Sequence, residues 1–232
     1  MYHAAVLTVS DRVSRGERPD EGGPLVAELL KKGNRDPGVL GFTDHSAAHT
    51  TLVAERAAYI LRKLGYSERE QELAKIAGLL HDIGNSVNRT HHAEYGALLA
   101  WDILRDKPLT LVERVTVISA IGNHDESTGG AKDPVSAALV LADKTDVRRN
   151  RVREKEREKF DIHDRVNYSV KKSQLKINED RTLVKLKLTV DTKYGSVMDY
   201  FEIFMQRMLL CRKAAEELGL HFKFMINEQQ LV

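Results

Sequence analysis

Six residues of this chain are suited to metal chemistry: His49, the adjacent pair His81 and Asp82, His92, His124 and Asp143. Neutral imidazole and carboxylate are good ligands for divalent transition metals, and buried side by side without a cation they would be costly. The adjacent pair closes the apolar run Ile76-Ala77-Gly78-Leu79-Leu80 and leads into a small, turn-prone tail, Ile83-Gly84-Asn85. A His-Asp dipeptide alone carries little weight, because His163-Asp164 occurs later without an apolar lead-in. That second pair is read as structural. The first pair stands out by its company, each other candidate falling on or beside a helix-like segment.

The elements that must position these residues follow from apolar periodicity. Leu52, Val53, Ala57, Ile60, Leu61 and Leu64 recur at helical spacing over 46–64, and Gly65 ends the segment. Ser67 with Glu70 is a capping-box signature opening a helix that runs to His81-Asp82. Further helices are expected over 93–105, 109–122 and 134–147, with Ser127-Thr128-Gly129-Gly130 as a loop between the last two. Helices hold ligands rigidly, and several packed together can aim side chains into one interior cavity.

The flanks differ from this helical middle. Residues 4–10 read as a short buried strand and Gly22 to Lys32 as a helix with Pro24 in its first turn. Gly33 to Gly41 reads as a linker, with a turn signal at Asp36-Pro37-Gly38. Residues 148–159 form a charge run expected to be solvated. From Leu175 the chain alternates through Ile177, a polar turn at Asn178-Glu179-Asp180, then Val184, Leu186, Leu188 and Val190, the pattern of a hairpin with one buried face. An amphipathic helix over 196–218 places Phe201, Phe204, Met205, Met208, Cys211 and Ala215 on one face, and Phe222, Phe224 and Ile226 alternate in a last strand. Met198, Met205 and Met208 are read as core filling and Cys211 as an inert buried thiol.

The expected fold is therefore mostly α: a helical metal-binding domain at 42–170, a C-terminal ββαβ subdomain at 171–232, and an N-terminal strand-helix appendage with linker at 1–41. A length of 232 residues suffices for a full core. A net charge of +2 gives no reason to expect a nucleic-acid or membrane partner. One cysteine cannot form an internal disulfide, and no apolar window approaches the length of a membrane span. A cytoplasmic setting is expected.

Residues 42–148 resemble the HD superfamily of metal-dependent phosphohydrolases. The likeness is carried by His49 in H-T-T-L-V, His81-Asp82 in L-L-H-D-I-G and Asp143 in L-A-D-K. His92 in H-A-E-Y-G-A and His124 in I-G-N-H match the dinuclear members, which include HD-type diadenosine tetraphosphate hydrolases and, more distantly, the HD-GYP enzymes. The resemblance implies two divalent metal ions (Fe, Mn, Co or Mg) held by these six residues and bridged by Asp82. It implies hydrolysis of a small phosphoester or phosphoanhydride by metal-activated hydroxide, with a nucleotide as the expected substrate. Myo-inositol oxygenase and related mixed-valent di-iron oxygenases share this ligand order, so oxygen activation is the alternative; a non-catalytic nucleotide-sensing module is a third. Separately, residues 4–33 resemble the opening strand, loop and helix of the molybdopterin adenylyltransferase family, truncated before the rest of that fold and without its activity.

Neighbouring residues complete the expectations. Successive helical positions diverge by about 100°, so of His91 and His92 one should ligate, and the H-x-x-x-G-A context selects His92. His45 is read as a rim or capping residue. Asp125 and Glu126 are candidates for supporting the ligands. Lys144 is assigned a catalytic and substrate-binding role and Arg148 a substrate-binding one, each as a cation for a substrate phosphate. Self-association through an exposed sheet edge is a further expectation.

Overall fold

A computed structural model of the protein describes residues 22–39, 47–152 and 156–230. The first helix, α1 (Gly22–Val39), buries Val26 and Leu30 in the main core. It runs through the expected linker and turn at Asp36-Pro37-Gly38 before ending at Val39. Packing outweighs the local turn signal here: Gly33 rests against the backbone of Ser86, on the turn that follows Asp82. This helix is thus packed on the bundle and is no loose appendage. The strand read at 4–10 and the rim residue His45 lie outside the described residues.

The five helices of the middle region are present with ends shifted by up to three residues: α2 (Ala47–Leu64), α3 (Glu68–Leu80), α4 (His92–Ile103), α5 (Leu111–Gly122) and α6 (Pro134–Lys144). Ser67, Thr110 and Asp133 begin α3, α5 and α6 with reciprocal capping boxes, which satisfy amide donors that a helix start leaves open. The sequence of α6, Val135-Ser136-Ala137-Ala138-Leu139-Val140-Leu141-Ala142, is apolar almost all round, and every residue from Val135 to Lys144 is buried. Such a helix must be enclosed, and α2, α3 and α5 surround it.

Beyond the bundle come α7 (Ile162–Ser169), β1 (Val170–Ile177), β2 (Leu183–Val190), α8 (Val197–Glu217), β3 (His221–Ile226) and the short β4 (Gln229–Gln230). The sheet order is β1-β2-β3-β4; β2 and β3 are parallel, joined by the α8 crossover, and the outer pairs are antiparallel. The predicted ββαβ unit is there, its hairpin starting at Val170 rather than Leu175. Val184, Leu186 and Leu188 face inward with Phe222, Phe224 and Ile226, and α8 covers them through Tyr200, Phe204, Met208 and Cys211. Two methionines depart from expectation: Met198 is 74% and Met205 43% exposed. The buried stripe passes through Phe204 and Met208, and Met205 lies one residue, about 100°, round from it.

The charge run is also not wholly solvated. Arg151 is buried, with Nη1 donating to the Asp146 carbonyl at 2.8 Å. His163 lies on the outside of α7, whose start is capped by Asp161, in keeping with a structural role. No described helix is long and apolar enough to cross a membrane.

Candidate metal centre

All six ligand candidates come from helix ends. His49 lies in the first turn of α2 and Asp143 in the last turn of α6; His81 caps α3 and Asp82 follows it. His92 opens α4, and His124 sits just past α5. Each is buried. Two glycines permit the close approaches that gather them. A Cβ on Gly78 would fall 2.6 Å from Ala54 Cα, so α3 lies directly on α2 and carries His81 to His49. A Cβ on Gly84 would fall 1.9 Å from the His92 carbonyl oxygen, so the turn Ile83–Ser86 seats against the start of α4.

The four imidazoles share one orientation. Nδ1 of His81, His92 and His124 lies 2.8, 3.1 and 2.6 Å from the carbonyl oxygens of Gly78, Arg89 and Ile121. Nδ1 of His49 lies 2.8 Å from Asp146 Oδ2. An acceptor beside each Nδ1 assigns the ring proton there and leaves Nε2 with a lone pair. Those Nε2 atoms converge. That of His49 is 3.2 Å from Asp143 Oδ1, that of His81 is 3.3 Å from Asp82 Oδ2, and those of His92 and His124 are 3.2 Å apart. Asp82 faces both halves: Oδ2 is 3.8 Å from His49 Nε2, while Oδ1 is 3.9 Å from His92 Nε2. Asn85 Nδ2 donates to Asp82 Oδ1 at 2.9 Å and fixes the carboxylate plane.

Lone pairs facing lone pairs in a buried space call for a cation, and this donor set fits a divalent metal. His49, His81 and Asp82 form one close group, Asp82, His92 and His124 another, and His81, His124 and Asp143 a third, with ligand atoms within 4.8 Å of one another in each. The electrostatics agree. Burial pushes His92 down and His124 down to about 3, the latter aided by the Lys144 charge, so both stay neutral and able to ligate. At His81, burial is overcome by the Asp82 and Asp143 carboxylates, which raise its pKa. Asp143 is held well below its ordinary value: burial opposes ionisation, and Lys144, His49 and His81 outweigh it.

A second set of residues holds the first. Asp146, fully buried, accepts from Arg148 through Nε at 2.5 Å and Nη2 at 2.9 Å. Lys144 is buried too, its Nζ 2.8 Å from both Asp143 Oδ2 and Glu126 Oε2. The sequence reading assigns Lys144 and Arg148 as cations for a substrate phosphate. Instead Lys144 is enclosed between carboxylates, and Arg148 lies past the end of α6, turned to Asp146. Of the adjacent pair at 91–92 only His92 turns inward; His91 caps α4 in a left-handed conformation (φ 63°) and is exposed. Asp125 Oδ2 lies 3.8 Å from His92 Nε2, on the side of the ring that faces the other ligands, whereas Glu126 meets Lys144 and Arg207 and supports Asp143 from behind. A cleft of about 160 Å³, with Arg89 and His91 but also Glu94 and Asp125 in its lining, opens onto His92.

Sequence reasoning missed Asp146 and Arg207. For Asp146 a signal was present, a carboxylate three residues beyond Asp143 in an apolar helix and followed by arginines. Arg207 offered none, being one basic residue on an amphipathic helix.

Comparison with known proteins agrees with this arrangement. An uncharacterized protein of Methanocaldococcus jannaschii, MJ1020, is 29% identical over 168 residues, which cover 63% of this chain. The match spans 64% of that relative's length. The family model described as "HD domain" matches residues 47–166, just over half of the 232-residue chain and all six ligand candidates. The chain belongs to the HD domain family, a superfamily of metal-dependent phosphohydrolases.

Proposed function

We propose that the protein is a two-metal phosphohydrolase that cleaves a small phosphoester or phosphoanhydride, with nucleotides the first substrate class to test. The observation that carries this reading is Asp82, which turns one oxygen to His49 and His81 and the other to His92. A carboxylate so placed would suit two ions, which His49, His81 and Asp143 on one side and His92 and His124 on the other would hold together with it. Bound there, divalent metals supply an activated water and neutralise phosphate charge. The chain's own residues do the rest. Outward-facing Nδ1 protons keep every Nε2 available, and Asn85 orients the bridging carboxylate. Lys144 and Arg148 act on carboxylates of the site, and Arg89, which lines the cleft and donates to Asn85 Oδ1, would serve as a cation for a substrate phosphate.

The test is a hydrolysis screen of the purified chain with nucleotides, dinucleotides and sugar phosphates, supplied with Mn²⁺, Fe²⁺, Co²⁺ or Mg²⁺. Phosphate release abolished by a chelator and restored by metal supports the reading. An iron-loaded protein that consumes oxygen and releases no phosphate would put oxygenase chemistry in its place. Nucleotide binding without turnover would make it a sensing module.

A further inference from the structure

The ligand Asp143 is tied to the C-terminal unit by a line of alternating charges. On α8, Arg207 places Nη2 3.2 Å from Glu126 Oε1. The other oxygen of Glu126 lies 2.8 Å from Lys144 Nζ, which is also 2.8 Å from Asp143 Oδ2. The remaining oxygen of Asp143, Oδ1, lies 3.2 Å from His49 Nε2 and 3.7 Å from His81 Nε2. Three parts of the chain meet here: the segment after α5, the end of α6 and the middle of α8.

We infer that Arg207 is a positioning residue for the metal centre, acting through Glu126 to hold Lys144 on Asp143 Oδ2 and so to leave Oδ1 as the oxygen turned to the imidazoles. The inference rests on the reading of Asp143 as a metal ligand. A lysine stem has several rotatable bonds and loses rotamer freedom when fixed; here carboxylates on both sides of its ammonium hold it. Glu126 stays in place because a cation sits on each of its oxygens. Arg207 is itself fixed, its guanidinium 4.6 Å from the centroid of the Phe204 ring, and Phe204 is buried. The C-terminal unit on this account completes the centre from behind. A residue that merely fills space between α6 and α8 would need bulk at this position, whereas a positioning role needs its charge.

The experiment uses the full chain and Co²⁺ alone, read by the visible absorption of the bound ion and by titration. Arg207→Met keeps bulk and removes charge; it should weaken Co²⁺ binding about 10–100-fold, the range seen when residues supporting metal ligands are lost, and shift the absorption. Arg207→Lys should recover most of the affinity. Glu126→Gln should match Arg207→Met, and the double variant should be no weaker than either single one, since both break the same line. Wild-type affinity and spectrum in Arg207→Met, no recovery in Arg207→Lys, or additive losses in the double variant would each overturn the inference. If Arg207→Met does not fold, Glu126→Gln decides: wild-type Co²⁺ affinity there also overturns it. A wild-type chain that takes up no Co²⁺ would instead defeat the reading of Asp143 as a ligand, and this inference with it.

Discussion

Asp146 Oδ2 lies 2.8 Å from His49 Nδ1, and that contact decides which nitrogen of His49 faces the other ligands. Backbone carbonyls do the same for His81, His92 and His124. At His49, in the first turn of its helix, a side chain from beyond the end of α6 takes that part. Asp146 is ionised for this purpose: burial opposes its charge, and hydrogen bonds from His49 and Arg148 hold its pKa below the ordinary range.

Asp146→Asn should therefore disturb metal binding more than folding. The amide can offer N–H where the carboxylate accepted, which favours the other tautomer and turns an Nε2–H into the site. Metal affinity should fall by about 10–100-fold, measured by competition with a chelating dye. Wild-type affinity would mean that His49 does not depend on Asp146 for its orientation.

Lys144→Met should leave the buried Asp143 carboxylate facing the half-buried one of Glu126. Loss of one partner from a buried ion pair costs about 3–5 kcal/mol, so the metal-free variant should melt well below wild type. Added Mn²⁺ should recover part of the difference, because a cation returns to Asp143. A melting temperature equal to wild type without metal would place the lysine in solvent rather than between Asp143 and Glu126.

Leu30→Ala tests whether α1 belongs to the bundle. Leu30 is 6% exposed and joins the main core. Truncating it should cost about 2–3 kcal/mol, at the low end for a leucine near a core boundary, read by denaturant unfolding. A change below about 0.5 kcal/mol, the level of a surface substitution, would return α1 to the status of an appendage.

A surface pair should give the fold a measurable acid response. Arg69 donates to both oxygens of Glu113, Nε at 2.6 Å and Nη2 at 3.0 Å, and the Thr110 amide adds a third bond. The hydrogen bonds from Arg69 first, and then from Thr110, pull Glu113 from its ordinary 4.5 to about 2. Because the folded-state value is the lower one, this stabilisation is present above about pH 4.5 and disappears as the pH falls toward 2. The pair is solvent-accessible, so the contribution is at most about 1 kcal/mol. Arg69→Ala should flatten the stability-pH curve in that window and leave it unchanged at pH 7 and above apart from a constant offset. An identical slope in wild type and variant would contradict the assignment.

Much of this was legible in the sequence because helical ligands announce themselves. His49, His81-Asp82, His92, His124 and Asp143 each stand at the end of an apolar periodic stretch, and periodicity fixes such ends to within a turn. The capping box at Ser67 and Glu70 was readable for the same reason, its chemistry being local. What escaped was set by contacts remote in sequence. The direction of Lys144 depends on Glu126 and Arg207, neither of which its own helix supplies. The packing of α1 at Gly33 on the turn at Ile83–Ser86 is likewise a contact remote in sequence, and no local pattern reports it. The exposure of Met205 turned on one step of helix rotation, which separates a stripe from its border.

The central claim is that Asp82 joins two metal sites, and metal stoichiometry tests it most directly. Elemental analysis of the purified chain reconstituted with Mn²⁺ should return two ions per chain. His92→Ala should return one, and Asp82→Ala close to none, with each protein folded by circular dichroism. A single ion per wild-type chain, or two ions retained in His92→Ala, would contradict it.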